Sequence, residues 1–204
     1  MDEIILVGAG GHARSCINVI ETTRQYQIAG LVEKDNANLK ENLGYPVIGI
    51  DEDLPELRNK YAMALITVGQ IKSASKRVKL FNLLSDLDFK LPVIVSPRAH
   101  VSSHSSIGAG TIIMHDVLVN ANAEIGQNCI INSKALIEHD AVVGDHCHIA
   151  TGAIVNGEVT VGRESFIGSG SVTKQSISIS RKCVIGAGAI IKNDVESKMV
   201  KKNE

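Results

Sequence analysis

The chain has no tryptophan among its 204 residues, and only 3% of it is aromatic. A core made without large rings has to be narrow and filled by aliphatic side chains. Neither sign of charge is in excess, since 21 Lys and Arg against 22 Asp and Glu leave a net charge of −1. That balance offers no basic field for nucleic acid, and no block of like charge marks a tail beyond the short end over residues 198–204. Long apolar runs are missing too. Stretches such as residues 4–7 are far short of the roughly 20 residues needed to span a bilayer. No charged segment followed by an apolar one suggests a secretory signal. The four cysteines do not form a disulfide framework: three occupy one slot of the repeat described next, and Cys16 falls in an expected helix. Buried free thiols in a reducing compartment, and hence a cytoplasmic protein, are the expectation.

What is present is a rhythm. From Val95 to Ile191 an aliphatic residue returns every six positions, and of these seventeen positions only Thr173 is neither Ile nor Val. Four residues after each comes a small or branched side chain, among them Ala99, Ala123, Cys129, Cys147 and Cys183, and glycine often follows the aliphatic residue directly, as at Gly108, Gly126, Gly144 and Gly162. A hexapeptide repeat of this kind predicts a parallel β-helix. Three hexapeptides make one triangular coil, and the aliphatic residue points inward against its equivalent eighteen residues away. Coils then stack at roughly 4.8 Å, the spacing of paired strands. No coil buries its apolar side alone, so stability is close to a sum of neighbour interfaces.

The first ninety or so residues follow another period. Residues 3–7 read as a buried strand ending in Gly8-Ala9-Gly10-Gly11, followed by an apolar-periodic helix over about 12–22. Residues 27–32 read as a second strand, 45–48 as a short extended piece, 62–68 as a third buried strand ending at Gly69, and 71–84 as a basic helix. Strand, glycine turn, helix and strand form a βαβ unit and imply a small parallel sheet. Two domains are therefore expected, residues 1–91 and residues 92–204.

The turn Gly8-Ala9-Gly10-Gly11-His12 stands where backbone amides and a helix dipole receive a phosphate. Ala13 occupies the third position of the dinucleotide fingerprint, an allowed variant, and Glu33 could be the acid after the second strand. A tight turn needing glycine for its geometry is the simpler alternative. His12 at the helix end favours phosphate binding. In the repeat, His100, His104 and His115 read as solvated or as facing another subunit. The segment Ile137-Glu138-His139-Asp140, with His146 and His148 beyond it, is different. His139 falls two residues after an inward aliphatic and points away from the prism. An acid beside it can fix the ring's tautomer and raise its basicity, as a general base requires.

These features together resemble the left-handed β-helix (hexapeptide-repeat) acyltransferases. Within that family they look like the branch holding the sialic-acid O-acetyltransferases and the N-acetyltransferases of nucleotide-linked 4-amino sugars. The resemblance covers nearly the whole chain. It implies a Rossmann-like α/β N-terminal domain followed by a left-handed parallel β-helix, a homotrimer with active sites between subunits, and acetyl-CoA as co-substrate. It also implies roles for particular residues. His139 would be the general base and Asp140, where the family more usually has Glu, would support it. His148, Ser169 and Ala187 would line the CoA channel. Gly10, Gly11, His12, Glu33, Lys34 and Gly69 would bind the nucleotide sugar. Two departures are visible: Glu33-Lys34-Asp35 replaces the family's frequent Asp-Asp, and Val195-Glu196-Ser197-Lys198 stands in place of its closing G-V-P-A-x segment.

The function expected on this resemblance is N-acetylation of a nucleotide-linked 4-amino-4,6-dideoxy sugar, with UDP as the carrier, in bacterial glycan biosynthesis. Sialic-acid O-acetylation is the alternative. A γ-type carbonic anhydrase, with His139, His146 and His148 around zinc, is more remote, because their spacing does not match that family and zinc hydration leaves the βαβ domain unexplained. No metal site is expected. A non-catalytic sugar-nucleotide binder is the third rival, against which the His139-Asp140 pair argues.

Overall fold

The computed structural model describes residues 1–34 and 39–196 together with the backbone of 200–201, so Asp35, Ser197 and Lys198 lie outside the described residues. The N-terminal unit is a five-stranded sheet. Its strands are β1 (Asp2–Val7), β2 (Tyr26–Val32), β3 (Glu41–Asn42), β4 (Tyr45–Gly49) and β5 (Met63–Ile66), in the order β3-β4-β2-β1-β5. All pairings are parallel except that of β3 with β4. Side chains on β1 alternate between the two faces of the sheet. Ile4 and Leu6 pack with α1 (Gly11–Thr23) in the same core that continues into the repeat domain. Ile5 and Val7 pack instead with α2 (Leu54–Lys60) and α3 (Ser75–Asp86).

Two differences from the sequence reading have plain causes. Helix α2 was not foreseen because it has only two buried apolar positions, Leu54 and Leu57, although Pro55 in its first turn is a favourable start. Helix α3 begins at Ser75, later than the basic stretch suggested, because Gly69 and Gln70 turn the chain toward the prism and leave Ile71 exposed.

The repeat domain meets the expectation residue for residue. Seventeen two-residue strands run from Ile94–Val95 to Ile190–Ile191, and the second residue of each is the aliphatic of the six-residue series. They pair in parallel, eighteen residues apart, in three sheets, as in Ile130 with His148 and Ile131 with Ile149. From Ile113 to Ile191 every one of these inward residues is at most 3% exposed. Thr173 keeps its inward place because its hydroxyl accepts the Asn156 N–H at 2.9 Å. Glycine after the aliphatic residue is also accounted for: a Cβ on Gly144 would lie 2.8 Å from the Arg163 nitrogen in the next coil.

Every turn from Gly110 to Gly188 uses one further slot. Three residues after the inward position the backbone is left-handed, at Asp116, Asn122, Asn128, Lys134, Asp140, His146, Glu158 and their successors, with glycine in the same slot at 110, 152, 170 and 188. Asp and Asn tolerate this conformation better than most residues. The four cysteines are all buried. The repeat thiols donate across the coil, as Cys147 does to the Gly162 carbonyl at 3.3 Å.

Replacing Thr173 by Val would satisfy the aliphatic rhythm and yet orphan the Asn156 amide. The expected result is a loss of about 1–3 kcal/mol, read as a lower midpoint in denaturant at unchanged slope.

Candidate functional site

The turn that follows the strand Leu136–Ile137 places His139 on an outer edge of the prism. Its Nδ1–H donates to Asp140 Oδ2 at 2.7 Å, and both side chains are about half exposed, at 57% and 45%. Because a carboxylate can only accept, the neutral ring carries its proton on Nδ1 and leaves Nε2 as a bare base. Asp140 sits in the left-handed slot. The shorter acid reaches the ring without difficulty, and its other oxygen accepts the Asn122 amide at 2.6 Å. The bond to Asp140, with Glu138 and Glu158 nearby, raises the His139 pKa above its ordinary value. The Asn122 and His139 hydrogen bonds lower that of Asp140.

The ring lies over Gly157, one coil on. A Cβ there would come within 2.8 Å of His139 Cε1 and 2.9 Å of Nε2. A cavity of about 370 Å³ opens beside it, lined by Glu138, His139, Asn156, Gly157, Glu158, Gln175 and Ser176. Asn122 and Gly157 were not identified from the sequence. The signal was there, since they stand one coil from Asp140 and His139 respectively.

Ser169 and Ala187 are exposed on a different edge, stacked one coil apart, with the Gly188 N–H donating to the Ser169 carbonyl at 2.8 Å. His148 begins a strand on a third surface, under the N-terminal domain, and is only 7% exposed. Its Nδ1 lies 2.6 Å from the Gln70 carbonyl and its Nε2 lies 3.3 Å from Asn132 Nδ2. Its pKa is lowered to about 4, first by burial. Within one chain, then, the structure does not bring His139 together with His148, Ser169 or Ala187. The face between the His139 edge and the Ser169–Ala187 edge carries an outward ladder of Leu118, Leu136, Ile154, Val172 and Ile190, the last 69% exposed.

In the N-terminal domain the glycines divide by role. Gly8 is needed for the fold: its φ is +112°, and a Cβ would lie 2.6 Å from Val68 Cγ2. Gly10 and Gly11 have nothing within 4 Å of where a Cβ would be, so the turn is open to an approaching group. Gly10 caps α1 without any side-chain hydrogen bond. Glu33 turns back on this loop and accepts the Ala9 N–H at 2.7 Å, while Lys34 borders a separate cavity of about 620 Å³ with Asp51, Ser75, Lys76 and Lys79. Asn42, on β3, donates to the Ala9 carbonyl at 2.6 Å and holds the loop from behind. His12 packs against Gly69 and lies 6.5 Å from the His148 ring. Burial, with Arg77 and His148, lowers its pKa to about 3. Toward a phosphate it would be a neutral hydrogen-bonding group and not a cation.

Two other histidines have defined partners. His115, expected to be solvated or to face a subunit, instead bridges the domains: its Nδ1 lies 2.7 Å from Ser96 Oγ and its Nε2 2.8 Å from Asn18 Oδ1 on α1. His146 Nδ1 meets Asn128 Nδ2 at 3.0 Å. Rings of His139, His146 and His148 thus face three separate partners, and among the described residues no cluster of three or more His, Cys, Asp or Glu could hold a metal ion. The buried thiols are poor nucleophiles, since burial pushes Cys16 and Cys129 up to about 12. No helix among the described residues is long and apolar enough to cross a membrane.

Comparison with known proteins agrees with this geometry. Residues 3–83 match the PglD N-terminal domain family, residues 104–139 the bacterial transferase hexapeptide family, and residues 158–193 the hexapeptide repeat of succinyl-transferases. Among solved structures, PerB from Caulobacter crescentus in complex with CoA and GDP-perosamine is 29% identical, with a TM-score of 0.91 over 98% of this chain and 93% of that one. The acetyltransferase domain of PglB from Neisseria gonorrhoeae, in complex with acetyl coenzyme A, is also 29% identical, with a TM-score of 0.87 over 95% of this chain and 92% of that one. No curated protein matches the sequence at a significant level. Over nearly its whole length the chain is similar to left-handed β-helix acetyltransferases of the hexapeptide-repeat type, its N-terminal part matching the PglD N-terminal domain family, and these likenesses support an acetyltransferase.

Two measurements follow from these shifts. In an NMR titration His139 is expected to titrate above its ordinary value, and Asp140→Asn is expected to bring it down. His12 and His148 have folded values near 3 and 4 against 6.5 when unfolded, so acid protonates the unfolded chain first. Stability is therefore expected to be full above about pH 6.5 and to fall as pH drops toward 4, as a thermal-melt series against pH would show.

Proposed function

We propose that this chain transfers the acetyl group of acetyl-CoA to the amino group of a nucleotide-linked 4-amino-4,6-dideoxy sugar, with UDP as the carrier, in cytoplasmic steps of bacterial glycan biosynthesis. The observation that carries this reading is the His139–Asp140 pair, whose unprotonated Nε2 stands at an open cavity on the prism edge. The relatives that bind CoA with GDP-perosamine, or acetyl-CoA, support the substrate class. Structures of the perosamine enzyme with one histidine replaced by Asn or Ala still hold both ligands.

His139 takes a proton from the sugar amine as its nitrogen attacks the thioester carbonyl. The C–N bond forms, the C–S bond breaks, and the CoA sulfur leaves as thiolate to be reprotonated. No acyl-enzyme is needed, consistent with the buried thiols. General-base help of this kind is typically worth about 10²–10⁴-fold. Asp140 and Asn122 hold the ring, and Gly157 leaves it room. Gly10, Gly11, His12 and Gly69, with Glu33 and Lys34 after the second strand, serve the nucleotide sugar, in a domain of residues 1–91. His148, Ser169 and Ala187 serve CoA, in a domain of residues 92–204.

A homotrimer unites these parts. The apolar ladder lies between the edge bearing His139 and the edge bearing Ser169 and Ala187, so a second copy packed around it sets one edge against the other's opposite edge. Burial of Leu118, Ile154 and Ile190 in that contact is the driving force.

One specific observation favours a second carrier, GDP, because the perosamine relative binds a GDP-linked sugar. Initial rates of CoA release with UDP- and GDP-linked 4-amino-4,6-dideoxy sugars, and with sialic acid, test both. Turnover with an amino sugar that collapses in His139→Ala is expected. Turnover with sialic acid alone would overturn the reading. Because the dyad raises the His139 pKa, the rising limb of the pH–rate curve is expected above that histidine's ordinary value and to move lower in Asp140→Asn. Gly157→Ala displaces the ring by a fraction of an ångström or more and is expected to cost about 10²-fold in kcat, with little change in melting temperature.

A further inference from the structure

Two residues that the proposed chemistry does not use, Gln70 and Arg77, are among the most deeply buried polar side chains, at 3% and 1% exposed. Both join the N-terminal domain to the prism. Arg77 Nη1 donates to the Ile66 and Val68 carbonyls at 3.0 and 2.8 Å, and Nη2 to the Asn128 carbonyl and Oδ1 at 3.1 and 2.6 Å. Asn128 returns a bond to the Arg77 carbonyl at 3.2 Å. The end of β5 is thereby fixed to a prism turn. Beyond it, Gln70 Nε2 donates to the His146 carbonyl at 3.0 Å, and this side-chain anchor holds the Gln70 main-chain carbonyl toward His148 Nδ1.

We infer that the Gln70 main-chain carbonyl, anchored by its own side chain and by Arg77, fixes His148 as the Nδ1-protonated tautomer, so that Nε2 acts as a hydrogen-bond acceptor for an N–H group of the ligand on the prism, such as the amides of a pantetheine arm, and not as a donor to the acyl oxygen. A carbonyl can only accept, so the 2.6 Å contact requires the proton on Nδ1. The opposite side of the ring agrees. Asn132 Oδ1 is taken by the Ser133 N–H at 2.8 Å, which turns the amide nitrogen toward His148 Nε2 at 3.3 Å. That donor needs a lone pair on Nε2, and at 3.3 Å it is weak enough to be exchanged for a ligand N–H. The other neighbours of the ring are Phe166 at 5.1 Å and His12 at 6.5 Å, with the Arg77 charge nearby. Burial and that charge keep the ring neutral.

Gln70 and Arg77 are positioning residues: they act through His148. The ligand half of the inference rests on the proposed acetyl-CoA chemistry, while the tautomer does not. The test is a two-bond ¹H–¹⁵N correlation spectrum of the full-length protein labelled in histidine, with His148 identified by its loss in His148→Asn. The expected spectrum shows a protonated Nδ1 and a bare Nε2 throughout neutral pH, and addition of acetyl-CoA shifts Nε2 as a stronger acceptor. In Gln70→Ala, which keeps the main-chain carbonyl but frees it from its anchor on the His146 carbonyl, the resonance moves toward a mixture of tautomers. There the KM for acetyl-CoA rises about three- to tenfold, the loss of one hydrogen bond, while the KM for the sugar stays put. A protonated Nε2 in the wild type, with or without acetyl-CoA, overturns the inference, and an unchanged tautomer in Gln70→Ala overturns the positioning role of the Gln70 side chain. Arg77→Lys gives a second reading if Gln70→Ala does not fold. Failure of the amino sugar to turn over, with the tautomer as stated, would strike only the proposed function.

Discussion

Everything in the prism depends on inward aliphatic side chains meeting their equivalents eighteen residues away. Each contact is modest, about 1.5–3 kcal/mol for a fully buried Val or Ile, but the same contact recurs along the whole solenoid. It fixes which residues can touch on the outside as well. Asn122 with Asp140, Asn120 with Glu138, Ser176 with Glu158 and Arg98 with Asp116 are all one coil apart. The candidate base, its acid and the glycine beneath the ring are therefore placed by packing on the other side of the backbone. The outer surface inherits its order from the inner one.

That inheritance explains what could be read in advance. A period of six with sixteen Ile or Val is visible without any fold, and it located all seventeen strands to the residue. His139 and Asp140 were legible because they are neighbours in sequence, and the left-handed slot suits a short acid. Thr173 looked like a flaw in the pattern, but its hydroxyl satisfies a backbone amide that faces the candidate site. Short irregular pieces of the first domain were harder. A helix with two buried leucines leaves no periodic trace, and a two-residue edge strand such as β3 leaves none either.

The contacts between the two parts were not legible at all. Gln70 meets His146 and His148 across more than seventy residues, and Arg77 meets Asn128 across 51. No spacing or motif announces such pairs. Arg77 in particular sat in a stretch that read as a basic helix, yet it is almost wholly buried. Its charge is carried by carbonyl oxygens without a carboxylate, and burial lowers its pKa only to about 10. Bonds from a charged donor, about 1.5–3 kcal/mol each, make this an expensive group to detach. A buried cation whose partners are three main-chain carbonyls and the Asn128 side-chain oxygen specifies one docking of the domains where an apolar patch would permit several.

The left-handed slot at each turn from Gly110 to Gly188 makes those hexapeptides interchangeable as building units, while the outer edges are not interchangeable. Inserting six residues into the solenoid would keep every aliphatic inward and every turn in its conformation. It would also turn all that follows by a third of a revolution, carrying Ser169 and Ala187 to another edge. Chain length is thus counted in sixes by folding and in eighteens by chemistry. A lineage of such proteins can lengthen or shorten cheaply in the first unit, but keeps an active edge aligned only in the second.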